Sequence, residues 1–257
     1  MPQTFFEWVA FLIEKYYPLF LRGIANTLIV SITGTIIGFI IGLGVAIART
    51  AQAGENDPKI KKALLSTLRA ILVAYVEVFR GTPMMVQAKV IYYGAAQYMH
   101  INMPTLPAAI LIISINTGAY MAEIVRGGII SVAKGQSEGA YSIGMSHWQA
   151  MRSVVLPQAV RNIMPSIGNE FVVNIKDSSV LNVIAVTELF FISNTAAGTY
   201  LRYFEVFFIT AIVYFVLTFT VTRILRYIEK KMDGPESYSI YGSQSNVHAE
   251  IHLRREV

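Results

Sequence analysis

Residues 21–48 read LRGIANTLIVSITGTIIGFIIGLGVAIA, a nearly continuous apolar run in which Arg22 is the one charge. A helix crossing the hydrocarbon of a bilayer needs about 20 predominantly apolar residues, so this is a membrane span. No basic n-region or small-residue cleavage site precedes it, which makes it an uncleaved span rather than a signal peptide. Its glycines at 23, 34, 38, 42 and 44 read as packing surface for a neighbouring helix. The whole chain has the same character: 257 residues, 54% apolar, 14% charged, mean hydropathy +0.51. A soluble domain carries about 25% charge. That excludes a disordered tail, a disulfide scaffold and most cytosolic enzymes. The absence of cysteine excludes thiolate metal sites, thiol nucleophiles and disulfides, but says nothing of compartment. A net charge of +5 and pI near 9.3 would suit nucleic acid. In a membrane protein, lysine and arginine in cytoplasmic loops account for it, and no nucleic-acid partner is expected. The fold class is an all-α polytopic membrane protein.

Upstream, residues 1–20 (Phe5, Phe6, Trp8, Phe11, Tyr16, Tyr17) form an amphipathic aromatic stretch suited to the membrane interface. Downstream, a second segment from about residue 63 to 98 is too long for one straight span. Proline should break it at Arg80-Gly81-Thr82-Pro83. A third span covers 104–130. A fourth begins after Leu156-Pro157 and is expected to break near Lys176-Asp177-Ser178-Ser179. A fifth covers about 203–225. Five passes follow. Fifteen lysines and arginines fall at 49–69, at 126–161 and in the C-terminal region, against Lys15, Arg22 and Arg202 on the other side. This bias predicts the N-terminus outside and the C-terminus in the cytoplasm. Residues 231–257 read as a polar cytoplasmic tail without assigned function.

Between the third and fourth spans, about residues 135–157 are too polar to cross a bilayer. Ser137 followed by Glu138 suggests a helix start, and Gly144 invites a sharp turn. The expected shape is a short helix, a glycine bend and a second helix, displayed for docking into a partner's groove. A plain surface connector is the alternative.

This stretch resembles the EAA loop of bacterial ABC-importer permeases. Glu138-Gly139-Ala140, then Gly144, then Val154-Val155-Leu156-Pro157 keep that loop's spacing, with Gly139 for alanine and Val154 for isoleucine. The blocks 78–83, 118–128, 156–159 and 168–171 with 176–179 extend the resemblance to the polar amino acid permeases, over roughly residues 20–230. The resemblance implies the type I ABC-importer permease fold over residues 21–230, about five transmembrane helices with a cytoplasmic coupling helix. It implies a bacterial cytoplasmic (inner) membrane location. It also implies a second permease subunit (homodimer or heterodimer), a cytoplasmic ABC ATPase dimer that binds ATP and Mg, and an extracytoplasmic amino-acid-binding protein. Glu138, Gly139, Ala140, Gly144, Met145, Leu156 and Pro157 would couple to the ATPase. The chain lacks a Walker A loop, so it is not itself the enzyme and carries no cofactor.

Ionisable groups within spans are costly and face a cavity or a partner. Glu170, Asn174, Asp177 and Ser178 recur at i, i+4, i+7 and i+8, and Asn116, Tyr120 and Glu123 at i, i+4 and i+7, one helical face each. Arg80 and Asp177 lie roughly 25 Å from the cytoplasmic ends by helical rise, and Asn116 at a similar depth. Polar groups at one level between broken helices describe a mid-membrane binding site. There Arg80 would hold a substrate carboxylate through its fork of donors, helped by Thr82. Glu170 or Asp177 would neutralise the α-ammonium, leaving the other acid and Asn116 for a cationic or amide side chain. Tyr120, Asn174 and Ser178 complete the candidate set. The structural alternative pairs Arg80 with Glu77 or Asp177, and Lys176 with Glu170. Glu123, near the cytoplasmic end with Arg126 at i+3, reads as a structural or gate salt bridge. The lone histidines His100 and His147 make no metal site.

The function expected is the permease subunit of an ATP-driven importer for a polar or cationic L-amino acid of the arginine, lysine, histidine or glutamine class. An ion-coupled secondary amino acid transporter, using Glu170 and Asp177, is the alternative, but it would not need the 138–157 loop. An intramembrane hydrolase is excluded by the lack of membrane-embedded histidine and of His-Glu-x-x-His.

Overall fold

The computed structural model describes residues 2–50 and 58–232. Among these the chain is helical, without strands. Helix α1 spans Phe5–Thr50, α2 Lys59–Gly81, α3 Met84–Tyr98 and α4 Thr105–Ser131. Two short helices, α5 (Lys134–Ser142) and α6 (His147–Ala150), follow. A π-helical turn, Met151–Val155, leads into α7 (Leu156–Asp177). A 3-10 stretch, Ser178–Ile184, precedes α8 (Leu189–Tyr200) and α9 (Tyr203–Met232). The expected tail lies outside the described residues, apart from the last two residues of α9.

The expected boundary at residue 20 is not a helix boundary. Residues 5–20 are the first turns of α1, a helix of 46 residues and about 69 Å. Trp8, Leu12 and Phe20 hold this part in register by burial against Leu189, Ile192 and Ala196 of α8 and Val206 of α9.

The centre of the bundle is the contact of α1 with α4. Gly34, Gly38 and Gly42, one turn apart, face Ile113, Thr117 and Met121, also one turn apart and in the same order. A Cβ on Gly38 would sit 2.7 Å from the Thr117 side chain and 3.2 Å from the Gly118 nitrogen. Of the first-span glycines, Gly23, Gly34, Gly38 and Gly42 thus serve packing within the chain, whereas Gly44 meets no neighbour, and α1 and α4 run parallel. The α2–α3 pass runs against α4: Val76 packs on Ala122, and Ala88 on the cluster of Ala108, Ala109 and Ile112. Helix α7 also opposes α4, with Ile163 at Gly128 and Asn174 bonded to Thr117. Helix α9 returns beside α7, with Leu225 over Gly168. Five segments therefore alternate in direction.

Among the described residues three helices qualify as spans by length and apolarity (α1, α4 and α9), and the bent α7–α8 unit makes a fourth. The α2–α3 pass falls short of that measure. Helix α2 carries Lys59, Lys61, Lys62, Arg69, Glu77 and Arg80, and α3 has 15 residues. Its course along α4, from the level of Ala122 to that of Ala108, still takes it through the same depth.

Both expected breaks exist, one of them displaced. Helix α2 ends at Gly81; Thr82 is extended (φ −121°, ψ 147°), as a residue before proline prefers, and Pro83 opens α3. In the fourth pass the α-helix does end at Asp177, but the chain continues straight as the 3-10 stretch. The 55° bend comes at 185–188, where Ala185 adopts φ 60°. Residues 176–179 hold no bend, and their two serines bond within the turn: Ser178 donates to the Ile175 carbonyl and Ser179 to that of Lys176.

Candidate functional site

The break after α2 strands the last carbonyls of that helix, which need donors. The Thr82 hydroxyl donates to the Val78 carbonyl (2.7 Å). The Gln87 amide reaches back from α3 to the carbonyls of Phe79 and Thr82, 2.9 Å each, and to the Thr82 hydroxyl, 2.8 Å. The Asn116 amide donates to the Gln87 carbonyl (2.8 Å) and to the Phe79 carbonyl (3.4 Å). Both Gln87 and Asn116 are buried. One turn further along α4, Tyr120 lies beneath Arg80, with the guanidinium carbon 5.6 Å from the ring centroid. Two successive turns of α4 thus receive the end of α2. Beyond Asn116 this side of α4 emerges from under α3, and Arg80, Thr82 and Tyr120 are exposed.

The polar face expected on α7 is divided. Around a helix of 3.6 residues per turn, Glu170 and Asp177 lie within about 20° of one another, with Asn174 and Ser178 about 40–80° further round. That rotation takes Asn174 and Ser178 into the core, 3% and 0% exposed. Asn174 donates to the Thr35 hydroxyl (2.8 Å) and accepts from Thr117 (3.0 Å), while Ser31 donates to its main-chain carbonyl (3.0 Å). It binds α1, α4 and α7 together. Glu170 and Asp177 stay half-buried, and among the described residues neither forms a hydrogen bond or an ion pair. The pairings of Arg80 with Glu77 or Asp177, and of Lys176 with Glu170, are not formed. The contacts of Phe79 with Asn116 and of Thr117 with Asn174 bring α2, α4 and α7 together at one depth.

Glu123 forms its ion pair with Arg126 at 2.8 Å, and a second with Arg49 of α1. This triad closes the basic end of the α1–α4 contact.

The loop between α4 and α7 has the expected helix–bend–helix form. Helix α5 begins at Lys134, earlier than Ser137–Glu138 suggested, and Ser137 bonds back to the Lys134 carbonyl instead of capping. Gly144 has φ 85°, where a side chain would be strained. Ser146 caps α6 in a reciprocal box with Gln149, a signal present in the sequence but not used. Glu138 and Gly139 are exposed, Ala140 is buried, and Met145 donates to the Ala140 carbonyl (3.1 Å). Tyr141, Ile143 and Trp148 project outward, 44%, 74% and 57% exposed. Leu156 and exposed Pro157 follow the π turn, whose wider spacing takes up a proline that has no N–H to donate.

Residues 63–234, a range that begins early in α2 and takes in α3 to α9, match the family described as the binding-protein-dependent transport system inner membrane component. The chain belongs to this family. It is 33% identical to the glutamine transport system permease protein GlnP of Escherichia coli K12, over 88% of this chain and 98% of that one. It is 32% identical to the arginine transport system permease protein ArtQ of Bacillus subtilis, over 84% and 93%. A solved structure, described as the crystal structure of an amino acid ABC transporter with histidines, is 36% identical. It superposes with a TM-score of 0.76, over 90% of this chain and 100% of that one. An inward-facing form of the MetNI methionine ABC transporter, 20% identical with a TM-score of 0.63, shares the fold. The chain is therefore a multi-pass inner-membrane permease component.

Two residues of the site region escaped the sequence reading. Gln87 gave no signal beyond standing four residues after Pro83. Glu188, wholly buried, caps α8 by accepting from the main-chain nitrogens of Phe190 (2.9 Å) and Phe191 (2.7 Å) and from the Tyr214 hydroxyl (2.9 Å). An acid before an apolar helix start was a signal available for it.

Proposed function

We propose that this chain is the permease subunit of an ATP-driven importer that carries a polar or cationic L-amino acid of the arginine, lysine, histidine or glutamine class. The observation that supports this most is the set of uncompensated charges at one depth. Arg80 rests on an aromatic ring at a helix break, and Glu170 and Asp177 on α7 have no cation bonded to them. Charges kept in a membrane without partners call for a ligand that carries the opposite ones. An amino acid zwitterion brings a carboxylate for Arg80 and an ammonium for one acid. The second acid favours a cationic or amide side chain over an acidic one. Two of the relatives, named as glutamine and arginine permeases, fall in that class.

In this reading the N-terminus is outside and the α5–α6 hairpin faces the cytoplasm. There its exposed apolar residues and the Gly144 bend enter a groove of an ATPase dimer that binds ATP and Mg. A second permease subunit and an extracytoplasmic amino-acid-binding protein complete the assembly. The test is uptake into vesicles holding the reconstituted assembly, with and without the ATPase. Uptake should need ATP. Gly144→Asp should abolish it and weaken ATPase co-purification while the permease still inserts, because a charged side chain at φ 85° distorts the bend. Uptake driven by a proton gradient without the ATPase would sink the proposal.

A further inference from the structure

We infer that Gln87 is a positioning residue for substrate recognition: it holds the broken end of α2 so that Arg80 lies over Tyr120, without itself touching the substrate. The inference rests on the reading that Arg80 meets the transported amino acid. Breaking a helix at Thr82–Pro83 frees the carbonyls of its last turn, and free carbonyls in a membrane are costly. Water would satisfy them at a surface, and a following helix could do so only with a long amide donor. Gln87 supplies one, placing its nitrogen within 2.9 Å of the carbonyls of Phe79 and Thr82 and 2.8 Å from the Thr82 hydroxyl. Phe79 and Thr82 flank Arg80 and Gly81, so the two residues at the break are held at both ends by one amide. The Gln87 carbonyl is in turn fixed by Asn116 (2.8 Å), one turn from Tyr120 on α4. The aromatic platform and the clamp therefore stand on the same helix, and the main chain that carries Arg80 cannot move relative to Tyr120 without straining the clamp. Gln87 is 7% exposed, which shields it from a ligand in the open space beside Arg80.

Gln87→Met keeps length and burial but removes every donor and acceptor. In vesicles holding the complete assembly, it should lower ATP-driven uptake about tenfold, with basal ATPase activity and co-purification retained. The discriminating measurement is the double variant with Arg80→Ala. If Gln87 acts through Arg80, the pair transports no more slowly than Arg80→Ala alone, because the second change removes positioning of a group already gone. Should Gln87→Met fail to insert, Gln87→Glu carries the same test, keeping an acceptor for Asn116 while losing the donors to α2. Wild-type uptake in Gln87→Met overturns the inference, as does a double variant a further tenfold below Arg80→Ala. Wild-type uptake in Arg80→Ala overturns the substrate reading of Arg80, and this inference with it. A damaging Arg80→Ala with additive effects overturns the clamp alone.

Discussion

Two passes of this permease are broken, and the two breaks are built in opposite ways. At Thr82–Pro83 the joint is held by neutral amides from Gln87 and Asn116, and its outer side leaves Arg80 and Thr82 exposed. At 185–188 the joint shows only Ala185 and Thr187 at the surface, while Ile184, Val186, Glu188 and Leu189 are each at most 1% exposed. Its charged residue is consumed within the chain. The Glu188 carboxylate faces the N-terminal nitrogens of α8, where the helix dipole favours an anion, and takes a further hydrogen bond from Tyr214 of α9. Asn26 of α1 closes the far side by donating to the Thr187 carbonyl (2.7 Å). The two joints teach that breaking a membrane helix does not by itself make a binding site. Under the proposed function, a break becomes one where a charge is left over after the backbone has been satisfied.

The comparison can be broken most forcefully at Glu188. Glu188→Leu leaves two main-chain nitrogens and a tyrosine hydroxyl buried without acceptors, a loss of about 3 kcal/mol or more. The purified permease should melt at a clearly lower temperature, and uptake should fall only in proportion to the folded protein recovered. An unaltered melting temperature with uptake abolished would reverse the roles assigned to the two joints.

Arg80 is the next largest lever. Arg80→Ala should reduce ATP-driven uptake about hundredfold, since a charge-assisted contact to substrate is worth ~2–3 kcal/mol, while the melting temperature stays put. Arg80→Lys keeps the charge and loses the planar fork, so a loss of about tenfold is expected. A drop in thermal stability as large as that of Glu188→Leu would make Arg80 a structural residue.

Asp177→Asn and Glu170→Gln preserve shape and remove one anion each. Each should cost about tenfold in uptake, with ATPase assembly intact, and shift preference away from cationic amino acids if any are carried. Equal uptake of all substrates in both variants would show that the acidic edge of α7 does not read charge. The smallest effect belongs to Thr82→Val, which deletes one exposed hydroxyl from the first joint. A loss of about threefold in uptake is expected, near 0.6 kcal/mol. A larger loss than for Arg80→Lys would move the centre of recognition from the guanidinium to the break itself.

Local chemistry was readable in the sequence because its causes lie within a few residues. The apolar run of 21–48 had to be a span, Thr82 before Pro83 had to leave the helix, and Gly144 had to take a conformation that side chains avoid. Tertiary structure decided everything that depended on what stands opposite. The i, i+4, i+7, i+8 pattern put Glu170, Asn174, Asp177 and Ser178 on one face, but the face is about 100° wide and its edges meet different neighbours. Thr35 of α1 and Thr117 of α4 take the Asn174 edge into a hydrogen-bonded core, and the acidic edge stays outside it. Asn116 carried the same pattern with Tyr120, yet its amide holds the end of α2 while Tyr120 lies under Arg80. Helical periodicity fixes the angle at which a side chain leaves its helix. Whether that direction meets a donor, an acceptor or open space is set by the packing of the other helices.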